Sequence, residues 1–279
     1  MNITTLLDKV YFAPRLKKID FYANRAGELQ HRVLDRLVRM AENTEWGKKY
    51  DYKSIHTYED FRNRLPIQTY EEVKPYVERL RAGEQNLLWP SEIRWFAKSS
   101  GTTNDKSKFL PVSKEALNDT HYQGGKDAVA LYLGQNPDSR FFSGQGLILG
   151  GSHSPNLNSR HGLVGDLSAI LIQNIHPLVN CVRVPSKKIA LMSDFEKKIE
   201  AIANSAVSKD VTNLSGVPSW MLVLIKRILE KTGKQSLEEI WPNLEVFFHG
   251  GVAFTPYREQ YKEAVSYTHL RAHETTLHL

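Results

Sequence analysis

The chain is poor in the features that would assign it quickly. It has a single cysteine, Cys181, among 279 residues. An intrachain disulfide is therefore excluded, and a reducing compartment, the cytoplasm, is the expected location. No uncharged apolar run approaches the roughly 18 residues that a membrane span needs. The stretch from Met1 to Lys18 carries Asp8 early and has no apolar core segment, so no signal peptide is expected. Internal repeats and low-complexity segments are missing. The G-x-x-x-x-G-K-[ST] pattern of a Walker loop is absent, and so is the G-x-S-x-G of a nucleophile elbow. His153 and His161 have no cysteine or acidic partner at zinc spacing, and they read as parts of a structural, turn-rich loop. The net charge of +6 is spread among acidic residues, as in Arg32, Asp35, Arg36, Arg39 and Glu42. That pattern reads as a solvated surface and gives no nucleic-acid partner, although a mild excess also suits a small polyanion.

What is present is a globular composition, 41% hydrophobic and 24% charged, able to bury a core. The opening is helical, with Leu29, Val33, Leu37, Met40 and Ala41 at helical spacing. Thr69 and Glu72 form a capping box, and Gly83 suits the end of the helix they open. From Glu92 strands begin to alternate with helices. The expected strands are 93–97, 146–150, 211–214 and 244–248. The expected helices are 117–133, one opened by a second capping box at Ser193 and Glu196, 219–231 behind Pro218 and ahead of Gly233, and one starting at Thr255. This alternation predicts an α/β fold: a layered, mainly parallel sheet with helices on its faces and a helical N-terminal region. Ligands in such folds sit at the carboxyl ends of strands.

One such end carries Lys98-Ser-Ser-Gly-Thr-Thr-Asn-Asp-Lys-Ser-Lys108. Hydroxyls at Ser99, Ser100, Thr102 and Thr103 can donate to phosphate oxygens. Gly101 lets backbone approach an anion, and Lys106 and Lys108 supply charge. On spacing alone the loop reads equally well as a flexible polar connector. The string nevertheless resembles the phosphate loop of adenylate-forming enzymes. Extended through Phe109-Leu-Pro-Val-Ser113, it resembles the auxin-responsive Gretchen Hagen family of acyl-acid amido synthetases, in its bacterial branch. Phe61-Arg-Asn-Arg-Leu-Pro-Ile-Gln-Thr-Tyr-Glu71, Ser215-Gly-Val-Pro-Ser-Trp-Met221 and Phe247-Phe-His-Gly-Gly251 are similar to further segments of that family, so the likeness covers most of 26–264.

The resemblance implies ATP and Mg²⁺, and two steps. A carboxylic acid attacks the α-phosphorus to give an acyl-adenylate and pyrophosphate. An amine, typically an amino acid, then takes the acyl group and AMP leaves. It implies that Ser99, Ser100, Gly101, Thr102, Thr103, Lys106 and Lys108 hold phosphates. It also implies that Val217, Trp220 and Met221 line the acyl pocket, and that His249, Gly250 and Gly251 border the nucleotide and acyl groups. Helical periodicity equally reads Trp220 and Met221 as core, and His249 equally reads as a structural histidine. No protein ligands for a metal are assigned. An acyl-CoA ligase of the same superfamily and a non-catalytic binding module remain as alternatives.

The chain departs from the family pattern after Gly251. The acidic motif expected downstream and the mobile C-terminal domain have no counterpart. Residues 265–279, with His269, His273 and His278, resemble the translation of a sequencing-library adapter more than a metal site. The expected organisation is a partial large adenylation domain at 1–264 and a non-native tail at 265–279.

Overall fold

A computed structural model of the chain describes residues 3–99, 108–265 and, as backbone, 271–273. Five of the expected phosphate-loop positions, Ser100, Gly101, Thr102, Thr103 and Lys106, lie outside the described residues, as do His269 and His278. The described strands are β1 (Trp95–Lys98), β2 (Phe109–Val112), β3 (Gln145–Leu149), β4 (Leu163–Gly165), β5 (Arg183–Val184), β6 (Val211–Gly216), β7 (Val246–His249) and β8 (Arg271–His273). They make two sheets, ordered β2-β1-β4 and β5-β3-β6-β7-β8. The chain divides into two compact units. A hairpin unit comprises Leu16–Gly125 and Ser154–Leu167, and a parallel-sheet unit comprises Met1–Arg15, Lys126–His153 and Ser168–Leu279.

In the hairpin unit β1 pairs antiparallel with β2 and parallel with β4. Helix Tyr70–Ala82 packs on this sheet. Thr69 and Glu72 form the expected capping box, satisfying amide donors that have no partner within the helix. Gly83 ends the helix at φ +109°, where a side chain would be strained and would also meet the His161 ring at 2.7 Å. Val77 and Leu80 of this helix meet Ile93, Phe96 and Val164 in one apolar cluster. Helix Ala26–Ala41 departs from the apolar stripe read in the sequence. It buries Val38 and Ala41, while Val33 and Leu37 stay 47% and 40% exposed.

In the parallel-sheet unit every described pairing is parallel. Strand alternation sends Leu147, Leu214 and Phe247 to one face and Val246 to the other. Helices Phe195–Ala206 and Pro218–Thr232 cover the first face through Ile202, Leu224, Ile225 and Ile228, all fully buried. Each such side chain contributes roughly 1.5–3 kcal/mol, which fixes the helices on the sheet. Phe12, Ala130, Leu133 and Phe141 cover the second face. The first of these helices is capped by Asp194, which accepts from the Lys197 amide at 3.1 Å, and not by Ser193. The second starts on Pro218 and stops at Gly233, at φ +67°. The observed architecture is thus α/β with helices on both faces of a parallel sheet, plus a second, mixed sheet that the sequence did not announce.

Candidate active site

The carboxyl ends of β3, β6 and β7 lie side by side. Their register places Leu149, Gly216 and His249 in one row; β3 and β7 continue into the glycine pairs Gly150-Gly151 and Gly250-Gly251, and β6 ends on Gly216 itself. At Gly216 the row is packed too closely for a side chain. A Cβ on Gly216 would stand 2.8 Å from the Leu149 carbonyl oxygen and 3.3 Å from Met221 Cε. A Cβ on Gly250 would meet nothing within 4 Å, so this backbone faces open space. Gly251 takes φ +85°, and its Cβ position lies 3.4 Å from Val217 Cγ2. Val217, Gly250 and Gly251 are therefore neighbours at one edge of the sheet.

An aromatic wedge supports this edge. The His249 ring stacks on Phe254 at 4.6 Å and lies 5.4 Å from Phe247. Tyr261 stacks on Phe247 at 5.3 Å and donates its hydroxyl to the Pro218 carbonyl at 2.8 Å. Burial pushes the Tyr261 phenol well above its ordinary pKa, so it stays protonated for that bond. Met221 is completely buried and packs beneath Gly216 as a core residue. Trp220, 38% exposed on the first turn of its helix, stands edge-on to Phe195 at 5.9 Å.

A residue that sequence reading missed secures the β3 turn. Lys198, buried in helix Phe195–Ala206, donates to the carbonyls of Gly150 at 3.2 Å and Gly151 at 2.9 Å, and to Ser152 Oγ at 2.8 Å. Ser152 Oγ in turn donates to the Met192 carbonyl at 2.6 Å. A lysine on an amphipathic helix ordinarily faces water. The signal that could have found this one is the Gly150-Gly151 pair, whose bare carbonyls need a donor.

In the hairpin unit the loop 99–108 joins β1 to β2. Its mouth is closed by the Ser99 amide donating to the Lys108 carbonyl at 3.0 Å. Lys108 Nζ lies 5.5 Å from the centroid of the Tyr70 ring. Ser99 and Lys108 belong to this unit, and the described candidates Val217, Trp220, Met221, His249, Gly250 and Gly251 belong to the other.

A depression of about 680 Å³ opens at the opposite, amino edge of the parallel sheet, lined by Tyr132, Arg140 and Glu245 among others. The Glu245 carboxylate there already accepts from Tyr132, Ser139 and the Arg140 amide. It holds the loop before β3 in place. Among the described residues no group of three His, Cys, Asp or Glu side chains could hold a metal ion, and no helix is long and apolar enough to cross a membrane.

The sequence model of the GH3 family N-terminal domain matches residues 15–270. The chain belongs to the GH3 family. Among its curated relatives, an indole-3-acetic acid-amido synthetase of Arabidopsis thaliana, GH3.2, is 30% identical over 103 residues, which is 37% of this chain and 19% of that protein. The jasmonoyl–L-amino acid synthetase JAR4 of Nicotiana attenuata is 26% identical over 106 residues, 38% of this chain and 18% of that one. A solved structure of the GH3.15 acyl acid amido synthetase in complex with 2,4-DB superimposes with a TM-score of 0.70 at 17% identity, covering 88% of this chain and 52% of that chain. Another GH3.15 structure gives 0.66 at 16% identity, with 92% and 55% covered. The chain thus spans about half of these solved GH3 structures, with which it shares a fold, and its aligned segment spans less than a fifth of either curated relative.

Proposed function

We propose that this GH3 chain supplies the acid- and nucleotide-binding part of an ATP-dependent acyl-acid amido synthetase. The observation that carries the reading is the row of glycine turns at the carboxyl edge of a parallel sheet, in a chain whose residues 15–270 fit the family's N-terminal domain. Backbone at Gly250 and Gly251 is bare enough for a planar or acyl group to lie against it. Val217 gives that surface an apolar rim, and Trp220 extends it. Met221 and His249 act from beneath, Met221 as packing and His249 as part of the aromatic wedge. Ser99, Ser100, Gly101, Thr102, Thr103, Lys106 and Lys108 take the β- and γ-phosphates. Such loops work chiefly by positioning groups and screening charge. Mg²⁺ enters on the triphosphate and neutralises its charge.

The carboxylate of the acid displaces pyrophosphate from the α-phosphorus, and an amino-acid amine then displaces AMP from the acyl carbon. An amine acceptor is favoured over coenzyme A because the matched relatives are named amido synthetases or, for JAR4, a jasmonoyl–L-amino acid synthetase. Indole-3-acetic acid, jasmonic acid and 2,4-DB, the acids in those names, are the first to try. A cytoplasmic setting suits ATP and the lone thiol. Residues 265–279 are taken as a non-native tail on a partial large domain. Reading the source DNA beyond codon 264 tests that assignment.

The test of function is carboxylate-dependent exchange of pyrophosphate into ATP, measured with the coding sequence so recovered and a panel of aryl and alkyl acids. Exchange with one acid, followed by amide formation on adding amino acids, is the expected result. A folded protein that neither exchanges nor binds ATP would favour a non-catalytic module, and thioester formation with coenzyme A would favour the acyl-CoA ligase.

A further inference from the structure

The two side chains of edge strand β5 face opposite ways. Val184 joins Leu147 and Leu214 in the core on one face of the parallel sheet. Alternation therefore sends Arg183 to the other face, in the row that runs through Gly146, Asn213 and Val246. Faces of a covered parallel sheet are ordinarily apolar, yet this row holds a guanidinium and a carboxamide, both buried. Arg183 is 4% exposed. Its Nε donates to Asn180 Oδ1 at 2.8 Å. Nη1 and Nη2 are buried and find no hydrogen-bond partner among the described residues. Burial pushes the guanidinium below its ordinary pKa, and no charge partner acts against that shift. On β3 the neighbouring position is Gly146, where a Cβ would stand 2.6 Å from Asn213 Oδ1. The Asn213 side chain thus lies over the glycine. Asn180 comes from the short 3-10 turn Pro177–Val182, in which no residue is buried and Leu178 is 71% exposed. A turn with so little buried opens at small cost.

We propose that Arg183 is the receptor of a second carboxylate site, in which the fork of Nη1 and Nη2 takes the two oxygens of a small-molecule carboxylate admitted when the turn Pro177–Val182 lifts. A buried guanidinium without a counter-charge is costly, and a bound anion removes that cost. A planar carboxylate matches the planar fork, and its single charge matches the single guanidinium. A phosphate dianion would leave one charge buried and unpaired. An opening one short turn wide suits a small acid. The site stands apart from the acid site at the carboxyl edge. Arg183 pairs with Gly146, three residues before Leu149, so the two sites lie about 10 Å apart along the strand at roughly 3.3 Å per residue. A carboxylate held here binds and stays intact.

Acetate is the probe, titrated into the 279-residue chain at neutral pH against chloride at equal ionic strength. It is expected to raise the melting temperature by about 2–4 °C at several times its dissociation constant. Arg183→Met keeps much of the volume without the charge. It should lose that rise and, freed of an unpaired buried charge, should melt no lower than the parent. Arg183→Lys keeps the charge without the fork and should bind acetate about tenfold more weakly, the scale of one lost charge-assisted hydrogen bond. Hydrogen exchange locates the ligand without any variant. Acetate should slow the amides of 178–183 and leave those of 249–252 unchanged. No response in the parent would overturn the proposal, as would a response kept in Arg183→Met or equalled by phosphate. Slowing at 249–252 instead would assign acetate to the carboxyl edge and overturn it. A steep fall in the melting temperature of Arg183→Met, or its failure to fold, would show a guanidinium already partnered and would overturn it too. ATP takes no part in these measurements, so each outcome leaves the adenylation reading to its own test.

Discussion

At the scale of single residues, the clearest test lies with two adjacent lysines. Lys197 is exposed and pairs with Asp194 three residues back, whereas Lys198 is buried and binds three acceptors on the Gly150–Ser152 turn. Replacing Lys198 by Met keeps most of the volume and leaves two carbonyls and a hydroxyl without that donor. Buried groups left unsatisfied in this way cost about 1–3 kcal/mol each before relaxation. Lys198→Met should therefore lower unfolding stability by about 2–4 kcal/mol in urea melts, and Lys197→Met by under about 0.5 kcal/mol. Equal effects would show that the turn does not depend on the ammonium. Trp220 makes the opposite prediction. Being partly exposed, Trp220→Ala should raise the KM for the acid severalfold in pyrophosphate exchange while moving stability by about 1 kcal/mol or less. A collapse in stability with KM unchanged would return Trp220 to the core.

At the scale of elements, the glycine turn after β7 can be divided experimentally. Gly251 sits at φ +85°, with Val217 3.4 Å from its Cβ position. Gly251→Val places a branched side chain in left-handed backbone and should cost roughly 1–3 kcal/mol. Gly250 has open space at its Cβ position, so Gly250→Leu should leave the melting temperature in place while filling the volume proposed for the ligand. The expected signature is normal folding with ATP or acid affinity reduced at least tenfold. Unchanged affinity would move the ligand away from this turn. These glycines were legible in the sequence because His-Gly-Gly follows an apolar strand. Helix Pro218–Thr232 was legible because proline and glycine mark its ends. Strands β2, β4 and β5 were not, since two to four residues carry no periodicity. The stripe through Val33 and Leu37 misled because helical spacing identifies an apolar face without saying what covers it. Tyr70, whose hydroxyl accepts from the Phe109 amide, was visible only as the residue after a cap, because that partner is 39 positions away.

At the scale of the whole molecule, the surface carboxylates set the response to acid. In the hairpin unit Arg79 lowers the pKa of Glu45, and the Thr69 amide lowers that of Glu72. In the parallel-sheet unit the Lys197 amide lowers Asp194, and Lys231 with Arg227 takes Glu200 down to about 2. A carboxylate whose folded pKa is depressed binds fewer protons folded than unfolded. Its stabilising contribution is complete above the unfolded value, near 4, and is lost as pH falls through the folded value. His121 follows the same sign by another cause. Burial lowers its pKa from 6.5, so its contribution is present above that value and is lost on acidification. Thermal melts by circular dichroism should therefore show stability falling in two legs, a shallow one below about pH 6.5 and a steeper one below about pH 4.5. His121→Asn should remove the shallow leg and leave the steep one. Glu200→Gln should reduce the steep leg at its low end, between about pH 4.5 and 2. These carboxylates are exposed, so 0.5 M salt should shrink the parts due to Arg79, Arg227 and Lys231 and spare the backbone-bonded parts at Glu72 and Asp194. A melting temperature that rises as pH falls from 6 to 3 would overturn the assignment of the acid response to these paired carboxylates. That outcome is disfavoured by the sign of the charge. Protonating carboxylates makes an already cationic chain more so and adds self-repulsion in the same direction as the lost pairs.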